Sequence, residues 1–217
     1  MILTTEKDWS EIEKAIKELN IKSVVIVGCG ECAAKCGTGG TEGVKRAAEK
    51  LKANNIEIVS SMVLDEPCDK RIVKNSIKKI KEELEKADAV MALSCGVGAQ
   101  TLAEITEKPI VVTTNTEFVA QTVRLDKYLD YCQGCGDCVL NETGGICPYT
   151  RCAKKMLNGP CGGPIDGKCE VGNYQFDCAW ILIYNKLKKM NRLDLYLKYR
   201  EPRDWRESNK KEVVLKR

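Results

Sequence analysis

The chain has 217 residues, 43% of them hydrophobic, with a formal net charge of +4. That is enough apolar content to bury a core in one large or two small domains, and it excludes disorder over most of the length. So small a net charge gives no overall footprint for nucleic acid, although from Lys186 onward 12 Lys and Arg stand against 5 Asp and Glu. No run approaches the roughly 18 apolar residues of a membrane span. The stretch from Met1 to Trp9, with Lys7 and Asp8, has no apolar signal region. The expectation is a cytoplasmic protein with no membrane span and no nucleic-acid partner.

Asp8 followed by Glu11 offers a capping-box-like start, and Trp9, Ile12, Ile16 and Leu19 recur at helical spacing. Ser23 to Val27 is a β-branched run ending at Gly28, as a buried parallel strand would, and Val44, Ala47, Ala48 and Leu51 mark the next helix. The alternation continues with a strand at Ile56 to Leu64, a helix whose face is Val73, Ile77, Ile80 and Leu84, and a strand at Ala89 to Leu93. A helix near Ala99 to Ile105 and a strand at Ile110 to Thr113 complete it. This pattern predicts an α/β fold: an N-terminal doubly wound parallel-sheet domain over 1–125. Past Asp126 the periodicity stops, and 126–200 reads as an irregular cysteine-rich metal-binding domain with C-terminal helices. Residues 131–178 lack a conventional apolar pattern, so metal coordination is expected to supply their folding energy. A helix resumes at Cys178 through Ile181, Tyr184 and Leu187, a short aromatic helix follows, and 201–217 is a charged tail.

Thirteen cysteines and no histidine leave thiolate as the only soft metal ligand, and in a reducing cytosol such density points to metal or redox work over disulfides. Cys29, Cys32 and Cys36 follow the first predicted strand of the alternation, Cys68 the second and Cys95 the third. Ligands of open α/β sheets sit beyond the carboxyl ends of the strands, so these five thiols are expected at one sheet edge. Four suffice for a 4Fe-4S cluster or a tetrahedral zinc. The expected set is Cys32, Cys36, Cys68 and Cys95, with Cys29, nearest the strand end, as the spare; buried structural thiols are the plain alternative. Gly28, Gly30, Gly37, Gly39 and Gly40 occupy the place of a dinucleotide loop but lack its G-x-G-x-x-G spacing.

Cys132, Cys135 and Cys138 form three quarters of a ferredoxin ligand run, while Cys147-Pro148 comes later than a ferredoxin places its Cys-Pro. With Cys147, Cys152, Cys161, Cys169 and Cys178 they make eight, the number two four-ligand sites require. Chain order does not settle their pairing, because ferredoxin runs lend ligands between clusters. The expected cofactors are two or three 4Fe-4S clusters, with zinc, whose four-cysteine ribbons also use C-x2-C, as the alternative at one or more sites. No catalytic residue is expected.

From Cys132 to Tyr184 the chain resembles the MetV family, the small iron–sulfur subunit of anaerobic methylenetetrahydrofolate reductases. The matching stretches are Cys132-Gln133-Gly134-Cys135-Gly136-Asp137-Cys138, Thr143-Gly144-Gly145-Ile146-Cys147-Pro148 and Leu157-Asn158-Gly159-Pro160-Cys161-Gly162-Gly163, then Gly167-Lys168-Cys169-Glu170 and Cys178-Ala179-Trp180. Gly28-Cys29-Gly30-Glu31-Cys32, Thr38-Gly39-Gly40 and Ser94-Cys95-Gly96-Val97-Gly98 are similar too. The resemblance implies an electron-transfer subunit in one-carbon metabolism of the Wood–Ljungdahl type. Such a subunit passes electrons through iron–sulfur clusters to the flavin of a MetF-type flavoprotein partner, which reduces a methylene group on folate or another pterin. A low-potential donor, such as ferredoxin or a heterodisulfide-reductase-like complex, is the further partner implied. The chain is too short for that partner's barrel of about 250 residues and has no histidine for acid–base work, so it reads as a non-catalytic subunit. The competing readings are a zinc-thiolate module that stabilises the flavoprotein without carrying electrons, and an accessory protein of methyl transfer. Trp180, Tyr184, Tyr196, Tyr199 and Trp205, set among lysines and arginines, form a candidate interface.

Overall fold

Asp8 caps the first helix: its carboxylate accepts from the Ser10 backbone N–H at 2.8 Å, and α1 (Trp9–Glu18) follows the short strand β1 (Ile2–Glu6). The helix buries Ile12 and Ile16, whereas Leu19 falls past its end and is 50% exposed. The computed structural model describes residues 1–124, 126–206 and 212–213, and the chain divides into two units, Met1–Phe118 and Val119–Arg217.

In the first unit, β2 (Ser23–Cys29) is buried along its whole length. It is followed by a single helical turn, α2 (Cys32–Lys35), and by α3 (Gly40–Ala53). Then come β3 (Glu57–Leu64), α4 (Lys70–Ile77), a 3-10 turn at Lys78–Ile80, and α5 (Lys81–Lys86). The spacing of Val73, Ile77, Ile80 and Leu84 predicts one helix; the tighter turn divides it and leaves Ile80 only partly buried. The series ends with β4 (Ala89–Leu93), α6 (Gly96–Thr106) and β5 (Ile110–Val112).

Four strands pair in parallel in the order β3-β2-β4-β5. Alternation along β2 sends Val24 and Ile26 into one core with Ile12, Ile16, Val44 and Leu51, and Val25 and Val27 into another with Val73, Ile77, Leu84 and Leu102. Helices therefore cover both sheet faces, α1 and α3 on one and α4 to α6 on the other, which is why β2 and β4 are apolar without interruption. Chain direction across the sheet reverses between β2 and β4, and a crevice beyond the strand ends is expected at such a reversal.

A second sheet has the order β1-β6-β7, where β6 is Thr114–Arg124 and β7 is Lys127–Cys132. From Val119, paired with Cys132, to Arg124, paired with Lys127, β6 and β7 run antiparallel. Strand pairing thus continues through the region where apolar periodicity stops and a boundary at 125/126 is expected, and the division between units falls earlier, inside β6. The fold is mixed α/β, with a parallel and an antiparallel sheet.

The second unit goes on with α7 (Pro148–Arg151), α8 (Ala179–Lys189) and α9 (Leu193–Leu197). Helix α8 buries Trp180, Ile183 and Leu187 against Ile146, Met156 and Leu193, so two loop residues, Ile146 and Met156, help to complete this small core. Trp180 Nε1 donates to the Met156 carbonyl at 2.9 Å. Arg200 is 7% exposed; its Nε pairs with Glu142 at 3.0 Å, and its backbone exchanges two hydrogen bonds with the Asn158 side chain, at 2.7 and 2.8 Å. The predicted tail 201–217 is described only to Arg206 and at 212 and 213; the rest of it lies outside the described residues.

Leu51→Ala, at a fully buried position, should lower the stability of the first unit by about 2–5 kcal/mol in denaturant unfolding. A second expectation concerns pH. The Asp88 carboxylate accepts from the backbone N–H groups of Lys22 at 2.8 Å and Ser23 at 2.9 Å, and these hold its pKa below the usual carboxylate value. The folded value is the depressed one, so its stabilisation is fully present above the unfolded pKa of about 3.9 and is lost as pH falls through the folded value. Asp88→Asn should accordingly lower the melting temperature at pH 7, with the difference from wild type shrinking below pH 4 in a pH series of thermal melts.

Candidate functional site

Each turn that leaves the carboxyl end of β2, β3 or β4 carries a thiol. Strand β2 ends at Cys29, and Cys32 opens α2. The Gly30 backbone N–H donates to Leu64 O at 2.7 Å, which holds this turn against the end of β3. Cys68 lies between β3 and α4, and Cys95 caps α6 after β4. Gly39 makes their approach possible: a Cβ there would stand 2.8 Å from the Cys29 carbonyl oxygen and 2.9 Å from that of Leu93.

These turns enclose a cavity of about 430 Å³ lined by Cys29, Cys32, Cys68 and Cys95, together with Asp65 and Glu66. Cys29 and Cys95 are buried, Cys32 is half-buried and Cys68 is exposed. Of the predicted set Cys32, Cys36, Cys68 and Cys95, three line the cavity. Cys36 stands a turn further along, with its thiol donating to the Ile2 carbonyl at 3.7 Å, and Cys29 lines the cavity with the other three. Although Cys68 as a whole is exposed, partial burial of its thiol pushes the pKa up, and Cys95, Glu66 and Cys29 push the same way.

In the second unit Cys132 ends β7, and Cys135 and Cys138 follow in the loop. Gly134, at φ +64°, makes the reversal and directs its N–H to the Cys132 sulfur at 3.4 Å. Cys147 and Cys152 flank α7, and the Met156 N–H donates to the Cys152 sulfur at 3.5 Å. Cys161 is exposed; the Gly163 backbone, followed by the nearby Lys154, draws its pKa down. Cys169 donates its N–H to Phe176 O at 2.8 Å, and Cys178 caps α8, buried in the same apolar cluster that Cys152 touches. Among the described residues no three Cys, Asp or Glu side chains stand together as a group that could hold a metal ion. In donor chemistry the two units nonetheless suit a thiolate-held group, with four thiols among the residues lining one cavity and backbone N–H groups directed at sulfur.

The aromatic interface expected from sequence does not form one surface. Trp180 is 1% exposed and belongs to the core, with Tyr196 edge-on to it at 5.9 Å and to Tyr184 at 5.4 Å, while Tyr199 and Trp205 are exposed. Sequence reasoning also passed over Arg203, whose guanidinium lies beside Cys135. Only its place near a tryptophan in a charged segment could have marked it.

The class these features define is a mixed α/β protein with thiol-bearing turns in both units. Residues 111–206 match the model of the family described as Methylene-tetrahydrofolate reductase C terminal. That match relates this part of the chain to methylenetetrahydrofolate reductase; it takes in the eight later cysteines and none of the first five. No curated protein and no solved structure matches the chain. Among the described residues no helix is long and apolar enough to cross a membrane.

Gly39→Ala should force the turn after β2 away from the end of β4. The backbone oxygens it would meet cannot rotate aside, so an overpacking loss of about 1–3 kcal/mol is expected in thermal or denaturant unfolding.

Proposed function

We propose that this chain is the iron–sulfur, MetV-type electron-transfer subunit of a methylenetetrahydrofolate or methylene-pterin reductase. It would take electrons from a low-potential donor, such as ferredoxin or a heterodisulfide-reductase-like complex, and deliver them to the flavin of a MetF-type partner. The observation that carries this is the gathering of Cys29, Cys32, Cys68 and Cys95 around one cavity in a chain without histidine. The match over 111–206 supports the reductase context.

In the first unit Cys32, Cys68 and Cys95 would hold one 4Fe-4S cluster. The fourth ligand would be either Cys29, which lines the cavity, or Cys36, one turn along. Cys132, Cys135, Cys138, Cys147, Cys152, Cys161, Cys169 and Cys178 would hold two more. Bound clusters would supply one-electron transfer, which a partner's flavin couples to a two-electron reduction. The chain's own part is to supply thiolates from turns fixed by β2, β3 and β4, to shield them by burying Cys29 and Cys95, and to direct the Gly134 and Met156 N–H groups at sulfur.

Alanine at Cys32, Cys68 or Cys95 should each lower the iron content by one cluster, and comparison of Cys29→Ala with Cys36→Ala should identify the fourth ligand. Full iron in all five variants would reject the centre in the first unit. Rapid mixing of the complex with a reduced low-potential donor should show the absorbance of this chain bleaching before that of the partner's flavin. Flavin reduced equally fast without this chain would refute the electron-transfer role.

A further inference from the structure

Arg203 is held between two rings in the second unit, its guanidinium carbon 4.8 Å from the Tyr149 ring centre and 5.2 Å from that of Trp205. Nη2 donates to the carbonyl oxygen of Cys135. Nε and Nη1 are buried and have no hydrogen-bond partner among the described residues. Leaving charged donors out of water without an acceptor is costly, and such groups in folded proteins are nearly always paired.

Arg200 shows how this unit treats a buried guanidinium when a carboxylate is present. Its Nε meets Glu142 at 3.0 Å, and its Nη2 meets the carbonyls of Glu142 at 3.1 Å and Leu195 at 3.3 Å. Arg203 has no such carboxylate pair, and the groups around it belong to the cysteine loop. It lines a cavity of about 490 Å³ with Asp137 and Cys138, while Cys135 is in direct contact. The two rings hold the guanidinium in place, and arginine keeps its proton at any pH the protein meets. Cys135 is the thiol that interacts with this guanidinium, and an anion carried on the cysteine loop would give Nε and Nη1 the acceptor they lack among the described residues.

We propose that Arg203 is the counter-ion of a thiolate-held centre to which Cys135 and Cys138 contribute: its Nε–H and Nη1–H would be free to donate to sulfur there and would raise the reduction potential of that centre. This rests on the iron–sulfur reading of the preceding section. An electron taken up by such a centre would add one negative charge, and a fixed cation with N–H donors beside it would stabilise the reduced state more than the oxidised one. Arg203 stays protonated throughout, so it neither takes up nor releases a proton in the step.

The test is a redox titration followed by electron paramagnetic resonance, on anaerobically purified full-length wild type, Arg203→Gln and Arg203→Lys, with iron and acid-labile sulfide measured on each. The electron affinity of one centre should fall about tenfold in Arg203→Gln, ~59 mV for a one-electron couple, while the other midpoints stay in place. Arg203→Lys keeps the charge without the fork and should fall between. Unchanged midpoints in Arg203→Gln at full iron content would overturn the assignment and leave the function standing. If Arg203→Gln loses iron, Arg203→Lys decides: an unshifted midpoint there overturns it, a partial negative shift supports it. Wild type without iron or sulfide would overturn the proposed function first, and this assignment with it.

Discussion

Backbone contact between Gly39 and the carbonyl groups that end β2 and β4 underlies the arrangement of thiols in the first unit. A methyl group at Gly39 would press on Cys29 O, Leu93 O and the Ala33 side chain at once, so the chain leaving β2 can pass the end of β4 only where a side chain is missing. Thr38, beside it, is buried and shares a 2.7 Å hydrogen bond with Thr4, which ties the same turn to β1. The Gly30 N–H on Leu64 O closes the third side, towards β3. Strands whose order reverses between β2 and β4 leave a crevice there, and thiols on the three turns have one common space to face. A cavity of this kind is a product of topology, since the residues that line it are spread over most of the unit.

The second unit is organised differently. Its regular elements are few, and one helix, α8, gathers Ile146, Met156 and Leu193 onto Trp180, Ile183 and Leu187. So modest a core leaves much of the ordering of 131–178 to other forces. Two are visible: the Asn158 side chain clamping the Arg200 backbone, and the Arg200 guanidinium on Glu142, which joins the end of α9 to the loop before α7. Buried ion pairs of this sort specify an arrangement more than they stabilise it. Metal held by the thiols of this segment, as proposed above, would add to these, since metal-binding energy in such segments is folding energy.

Apolar periodicity made the first unit legible in outline, because β2 and β4 are shielded on both faces and α1, α3, α4 and α6 each bury one stripe. Placing cysteines after successive strands was enough to expect Cys32, Cys68 and Cys95 in one place. Which of Cys29 and Cys36 joins them depends on how the chain turns after Cys29, and α2, four residues long, is too short to show a period. The β6–β7 hairpin was missed because most of its side chains are exposed, so no alternation of apolar and polar residues announces it. Trp180 resembled an interface residue for the opposite reason: basic residues crowd the sequence after it, yet those on its own helix, Lys186, Lys188 and Lys189, are exposed while the inner face of α8 is core. Arg203 was marked in the sequence only by the nearby Trp205, since its significance lies chiefly in two nitrogens without a hydrogen-bond partner among the described residues.

Metal and acid-labile sulfide analysis of the full chain, purified without exposure to air, tests the central claim most directly. Thiolate-held iron–sulfur centres, one in the first unit and two in the second, predict a brown protein in which iron and sulfide are equimolar, at about twelve of each per chain by the four-ligand count of its cysteines. Colourless protein containing zinc and no labile sulfide would contradict it.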